Sequence, residues 1–145
     1  MTAKEYLSQA RRLDGQINSD IREITRLREI AKNISSSSWS EKMQASHNTE
    51  APFVRSLEEI MELEETVKNE ISKLISLKKQ IRTVVEAVSD TDERLVLRYR
   101  YIHNFTWKQI GDELNADEKT IRRWHSKALS KLELPKNPIL IQNTP

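Results

Sequence analysis

The sequence predicts an all-α protein: a long antiparallel helical hairpin of coiled-coil character, then a small C-terminal helix-turn-helix domain. Three observations lead there. Two glycines and four prolines stand in 145 residues, far below the roughly 7% and 5% of average chains, which argues against a turn-rich sandwich or barrel. Apolar residues recur three or four positions apart over long stretches, the period of a helix with one buried face. Charged residues make up 32% of the chain against 37% hydrophobic, a balance that suits elongated helices with narrow apolar stripes better than one large core.

Over residues 3–34 the stripe is Leu7, Ala10, Leu13, Ile17, Ile21, Ile24, Leu27, Ile30 or Ala31, and Ile34. Gly15 costs a helix interior about 1 kcal/mol, but the stripe keeps its phase across it, so one long helix is predicted. Residues 35–52 hold four consecutive serines, Trp39 and Pro52 without periodicity, and read as a mobile linker. The stripe returns over residues 53–88. A heptad frame fits with Leu57, Ile60, Glu64, Val67, Ile71, Leu74, Lys78, Ile81, Val85 and Val88 at its seam, while Met61, Leu63, Ile75, Leu77 and Val84 widen it. Glu64 and Lys78 either fix register or mark where the seam turns to solvent.

Residues 1–88 are therefore expected to form the hairpin. Two helices leave part of such wide stripes wet, so a homodimer combining two hairpins into a four-helix bundle is expected. Its oligomerisation residues would be Ile17, Ile21, Ile24, Ile60, Val67, Ile71, Leu74 and Ile81.

Residues 89–134 carry start signals for three short helices. Asp90 or Thr91 caps the first, whose apolar face is Leu95, Val96, Tyr99 and Ile102, and His103-Asn104 ends it. Thr106 and Gln109 have the spacing of a capping box for the second, which carries Trp107, Ile110 and Leu114. Asn115 stands where the chain must turn sharply, since Asn enters the left-handed region more readily than most residues. Asp117 caps the third helix, with Ile121, Trp124, Ala128 and Leu132 inward. A short helix, a tight turn and a longer basic helix predict a helix-turn-helix.

Between Lys119 and Leu132 there are five basic residues and no acidic one. In this motif the start of the last helix meets base edges in the major groove, so double-stranded DNA is the expected partner. Arg122 and Arg123 can fork onto guanine, Glu118 can accept from cytosine, and Lys119 can serve a base or a phosphate. Thr106, Lys108, Lys127 and Lys131 are the expected phosphate contacts.

Three segments, Leu95-Val-Leu-Arg-Tyr, Thr106-Trp-Lys-Gln-Ile-Gly-Asp-Glu-Leu and Ile121-Arg-Arg-Trp-His-Ser-Lys-Ala-Leu-Ser-Lys-Leu, resemble region 4 of bacterial sigma factors. Together with residues 1–14 and 63–88, the chain is similar to small phage and prophage transcriptional regulators of Gram-positive bacteria, the ArpU- and RinA-like late activators. The resemblance implies a sequence-specific DNA-binding activator of phage genes that acts with host RNA polymerase. Lys108 replaces a usual acidic residue and Trp124-His125 a usual aliphatic-acidic pair, although Trp124 keeps an apolar position.

No enzyme is expected. Absence of Cys removes thiol chemistry and Cys-ligated zinc. His47, His103 and His125 lack partners at metal-ligand spacing and read as surface or capping residues, and Gly15 and Gly111 cannot build a phosphate loop. No cofactor or metal is expected, and Trp107 and Trp124 read as structural. Without a run of about 18 apolar residues or a leader-like start, the expectation is a cytoplasmic protein with no membrane partner. Residues 135–145, broken by Pro135 and Pro138, read as a flexible tail. Two alternatives fit the same architecture: a small terminase subunit of a DNA-packaging machine, and a helical interaction protein with a vestigial helix-turn-helix.

Overall fold

The computed structural model describes residues 1–34 and 50–141, and every regular element among them is helical. Helix α1 spans Ala3–Ile34 and α2 Glu50–Glu86. Then come α3, Thr91–Leu97, running into a π-helical turn at Arg98–Ile102, α4, Trp107–Leu114, and α5, Glu118–Lys131. The all-α expectation stands. Most of the expected linker, with Trp39 and His47, lies outside the described residues, and α2 takes residues 50–52 from it. Pro52 falls in the first turn of α2, where a backbone N–H has no intrahelical partner to lose. None of these helices is long and apolar enough to cross a membrane.

Thr2 and Glu5 start α1 by a reciprocal cap: the Thr2 N–H donates to the Glu5 carboxylate at 2.9 Å and the Glu5 N–H to the Thr2 hydroxyl at 3.2 Å. The helix passes through Gly15 without a break. The chain divides into two compact units, one of Met1–Asp14 with Lys73–Pro145, the other of Gly15–Ser72. The first fourteen residues therefore share a unit with the C-terminal helices, which the expected division at residue 88 had separated from them.

In the Gly15–Ser72 unit Ile17, Ala31, Ile60 and Val67 are buried and Arg28 pairs with Glu64. The predicted seam needs correction. Glu70, Leu77 and Val84 are buried beside Ile60, Val67, Leu74, Ile81 and Val88, whereas Leu57 and Ile71 are each 39% exposed. The inward stripe thus steps 60, 63, 67, 70, 74, 77, 81, 84, 88, with Leu63 half-buried. Leu63, Leu77 and Val84, expected only to widen the seam, are three of its nine positions. Of the eight residues assigned to oligomerisation, Ile17, Ile60, Val67, Leu74 and Ile81 are already buried within the chain; Ile21 and Ile71 are exposed and Ile24 half-buried.

The other unit buries Tyr6, Leu7, Ala10 and Leu13 of α1 and Leu74, Leu77, Ile81, Val84 and Val85 of α2. The Tyr6 hydroxyl, its pKa pushed up to about 12 by burial, donates to Gln80 Oε1 at 2.7 Å. Residues 135–141 are not loose, contrary to expectation. Gln9 receives the Ile141 N–H at 2.8 Å and donates to the Ile139 carbonyl at 3.0 Å, while Gln80 receives the Ile139 N–H at 2.9 Å and donates to the Asn137 carbonyl at 2.9 Å. Two prolines do forbid a helix here, but the backbone groups they free are satisfied by glutamine amides on α1 and α2.

Asp90 caps α3, accepting from the Glu93 N–H at 2.9 Å. Its inward residues are Val96 and Leu97, with Leu95 only half-buried. The wider π turn that follows rotates the face, so that Tyr101 and Ile102 point inward. Val96, Ile110 and Ile121 form the centre shared by α3, α4 and α5, with Tyr99, Phe105, Trp107, Leu114, Ala116 and Trp124 packed around it.

Candidate nucleic-acid interface

The expected capping box at the start of α4 is present: the Gln109 N–H donates to the Thr106 hydroxyl at 3.2 Å, and the Thr106 N–H to the Gln109 side chain at 2.8 Å. After eight residues α4 ends at Asn115, which lies in the left-handed region at φ 52°, ψ 46°. The Gly111 carbonyl accepts the Ala116 N–H at 3.0 Å. A Cβ on Gly111 would stand 2.6 Å from the Ala116 carbonyl oxygen, so the tightness of this turn depends on the missing side chain. Asp117 then caps α5 by accepting from the Thr120 N–H at 2.7 Å. Thr120 donors hold the Asp117 carboxyl below its ordinary pKa, keeping the cap charged at the positive end of the helix dipole.

Ile121, His125 and Ala128 are the buried side of α5. Glu118, Lys119, Arg122, Arg123 and Lys127 are exposed, as are Thr106 and Lys108 at the start of α4. The four residues expected to read bases therefore share the solvent side of one helix. Arg122 also leans inward, its guanidinium 5.3 Å from the centre of the Trp107 ring, over which Arg100 lies at 4.1 Å.

Lys131 has a different role from the phosphate contact assigned to it. Its ammonium donates to both oxygens of Glu93, at 2.9 and 3.1 Å, and that carboxylate is buried. Lys131→Ala should destabilise the fold by about 2 kcal/mol, below the 3–5 kcal/mol of a fully buried pair because the lysine head is half exposed. Urea unfolding measures this, and adding Glu93→Gln should recover part of the loss; a change under about 0.5 kcal/mol would remove the assigned role.

His125 is likewise not a surface residue. It is 6% exposed, with Nε2 2.6 Å from the Tyr101 hydroxyl and its ring edge-on to Trp107 at 4.7 Å. Burial first, then Arg100, Lys4 and Arg122, push its pKa down to about 4. The neutral ring and the Tyr101 hydroxyl share this hydrogen bond, its direction set by the imidazole tautomer, and burial raises the Tyr101 pKa so that the hydroxyl keeps its proton.

Residues 5–133 match the profile of a family described as a protein of unknown function, DUF722. The chain belongs to that family. No curated protein and no solved structure matches it. In this DUF722 member the matched region runs from the first turn of α1 to just past Lys131 at the end of α5, taking in all of the Gly15–Ser72 unit and most of the other.

Sequence reasoning missed a basic cleft of about 340 Å³ lined by Lys4, Ser8, Arg11, Arg12, Arg100, Tyr101, Trp107, Arg122 and His125. Its residues come from both ends of the chain. Arg11-Arg12 was a readable doublet, but nothing local tells that it lies beside residues 100 and 122. Among the described residues no group of His, Asp and Glu side chains is arranged to hold a metal ion.

Proposed function

We propose that the chain is a sequence-specific DNA-binding regulator of transcription, with α4 and α5 forming a helix-turn-helix and α5 entering the major groove. One observation carries the reading: α5 follows an eight-residue helix through a left-handed turn at Asn115 and keeps Glu118, Lys119, Arg122 and Arg123 outside while Ile121, His125 and Ala128 are inside. A rigid helix that presents forked cations and a carboxylate near its start has the donors and acceptors that base edges require. The motif residues are also those that carry the resemblance to sigma region 4. Phosphates would be held by Thr106, Lys108 and Lys127.

The reading includes a hairpin of α1 and α2, supported within one unit by the Tyr6–Gln80 hydrogen bond and within the other by the Arg28–Glu64 pair. It also includes a homodimer, for which Ile21, Leu57, Met61 and Ile71 supply exposed apolar surface. Sedimentation of a monomer at micromolar concentration would remove the dimer.

Selection of bound fragments from a random DNA pool gives the site, and binding is then compared on that site and on a scrambled duplex. Arg123→Ala should weaken the selected site by about 1–3 kcal/mol, roughly 5- to 150-fold, and the scrambled duplex far less. Equal losses on both would refute base reading by Arg123. A wild-type chain that enriches no sequence and binds no duplex at 150 mM salt would refute the function.

A further inference from the structure

The basic cleft adjoins the face assigned to base reading and shares only Arg122 with it. Lys4, Arg11 and Arg12 reach it from α1, Arg100 from the π turn and Arg122 from α5, and no carboxylate lines it. Among the described residues none of these five cations forms an ion pair with an acidic side chain; the pairs present are Arg26–Glu29, Arg28–Glu64, Arg98–Glu86 and Lys131–Glu93. The cluster is nevertheless held firmly. Arg11 donates to the Arg100 and Phe105 carbonyls at 3.2 and 3.1 Å, and Arg100 donates to the Phe105 carbonyl at 3.0 Å. Burial first, and then the neighbouring Arg11, lower the Arg100 pKa, as expected for a cation partly removed from water with a like charge beside it.

We infer that the cleft is a phosphate site that grips the backbone of the duplex whose groove α5 enters, making the start of α1 part of the DNA-binding surface. The inference rests on the DNA-binding reading above. Two features favour a duplex backbone over a free ion or a small phosphorylated ligand. Arg122 belongs to both the cleft and the outer face of α5, so the basic surface is continuous from one to the other. Lys4, Ser8 and Arg12 stand one helical turn apart on α1, about 5.4 Å per turn, a row of donors that follows a row of phosphates rather than enclosing one. Lys4 and Arg12 are exposed, and among the described residues neither donates to a side chain or a carbonyl, which leaves their heads for a ligand. Assembled cations without counter-charges repel one another, and a polyanion relieves that repulsion while releasing its own condensed counterions.

The test uses the full chain with Lys4→Ala and Arg12→Ala combined, and Lys79→Ala, on the exposed face of α2, as control. Fluorescence anisotropy on the selected and scrambled duplexes from 50 to 300 mM KCl gives the slope of log K against log salt. The double variant should flatten that slope by about 2, roughly 0.9 per lost phosphate, and weaken both duplexes alike, with the control unchanged and all three chains melting at the same temperature. A slope that stays put while wild type binds the duplex overturns the cleft assignment and leaves the DNA-binding reading standing. Wild type that binds no duplex sinks both. Tryptophan fluorescence with ATP as probe provides the remaining arm: saturable quenching that the double variant abolishes, beside an unaltered slope, gives the cleft to a free phosphorylated ligand and overturns the proposal.

Discussion

Gly111→Ala should lower stability by about 2 kcal/mol, whereas Gly15→Ala should raise it by about 1 kcal/mol. Both glycines are interior helical residues, and alanine improves helix propensity at either position by about the same amount. Their surroundings differ. At Gly15 an added Cβ meets nothing within 4 Å, so the propensity gain stands alone. At Gly111 the added atom would meet the Ala116 carbonyl oxygen at 2.6 Å, and that oxygen belongs to the turn backbone rather than to a side chain that can swing away. Forcing the turn open costs about 3 kcal/mol, the upper end for an overpacked core because a backbone atom must move, which outweighs the propensity gain and also shifts α5 against Val96 and Ile110. Thermal melting reads the pair as shifts of opposite sign, roughly 3 °C per kcal/mol for a chain of this size. Because the turn orients α5, Gly111→Ala should also weaken selected DNA more than scrambled DNA. A Gly111→Ala chain as stable as wild type would show that the approach to Ala116 is not tight.

Acidification from pH 7 to pH 4.5 should remove about 2 kcal/mol of stability through His125 alone. The unfolded imidazole titrates near 6.5, and in the folded chain burial beside Arg100, Lys4 and Arg122 pushes it down to about 4. Between those values the unfolded state binds a proton that the folded state refuses, so stability rises with pH across the window and is lost as pH falls through it. The ceiling is about 1.4 kcal/mol per pH unit. The cleft admits some water, so the expected loss is set below that ceiling. Protonation would also fix Nε2 as a donor toward the Tyr101 hydroxyl. Urea unfolding at pH 7.0 and 4.5 should show the wild-type loss exceeding that of His125→Gln, which has no titrating ring but retains an acceptor. Equal losses in the two chains would mean that His125 ionises freely in the native state.

Much of the C-terminal unit was legible because its signals are short-range. Thr106 and Gln109 are three residues apart, Asp117 and Thr120 likewise, and Asn115 answers a backbone demand at its own position. His125 was misread for the converse reason: a polar ring on a basic helix looks solvent-facing until Tyr101 and Trp107, far off in sequence, are packed against it. Lys131 was misread in the same way, since the buried Glu93 that claims it lies 38 residues earlier. The seam of α2 was ambiguous because apolar residues at both Leu57 or Ile71 and Leu63 or Leu77 satisfy a helical period, and burial alone chooses between two overlapping stripes.

Helical class, helix starts and the left-handed turn follow from residue type and spacing, because hydrogen bonds within four residues and the sterics of single backbone positions impose them. Which cations stay free is another matter. That Lys131 is spent on Glu93, that Gln9 and Gln80 bind residues 137–141, and that Lys4 and Arg12 join Arg100 and Arg122 around one cleft are consequences of packing distant segments together. Charge and burial are properties of a neighbourhood, and a neighbourhood assembled from both ends of the chain has no local signature.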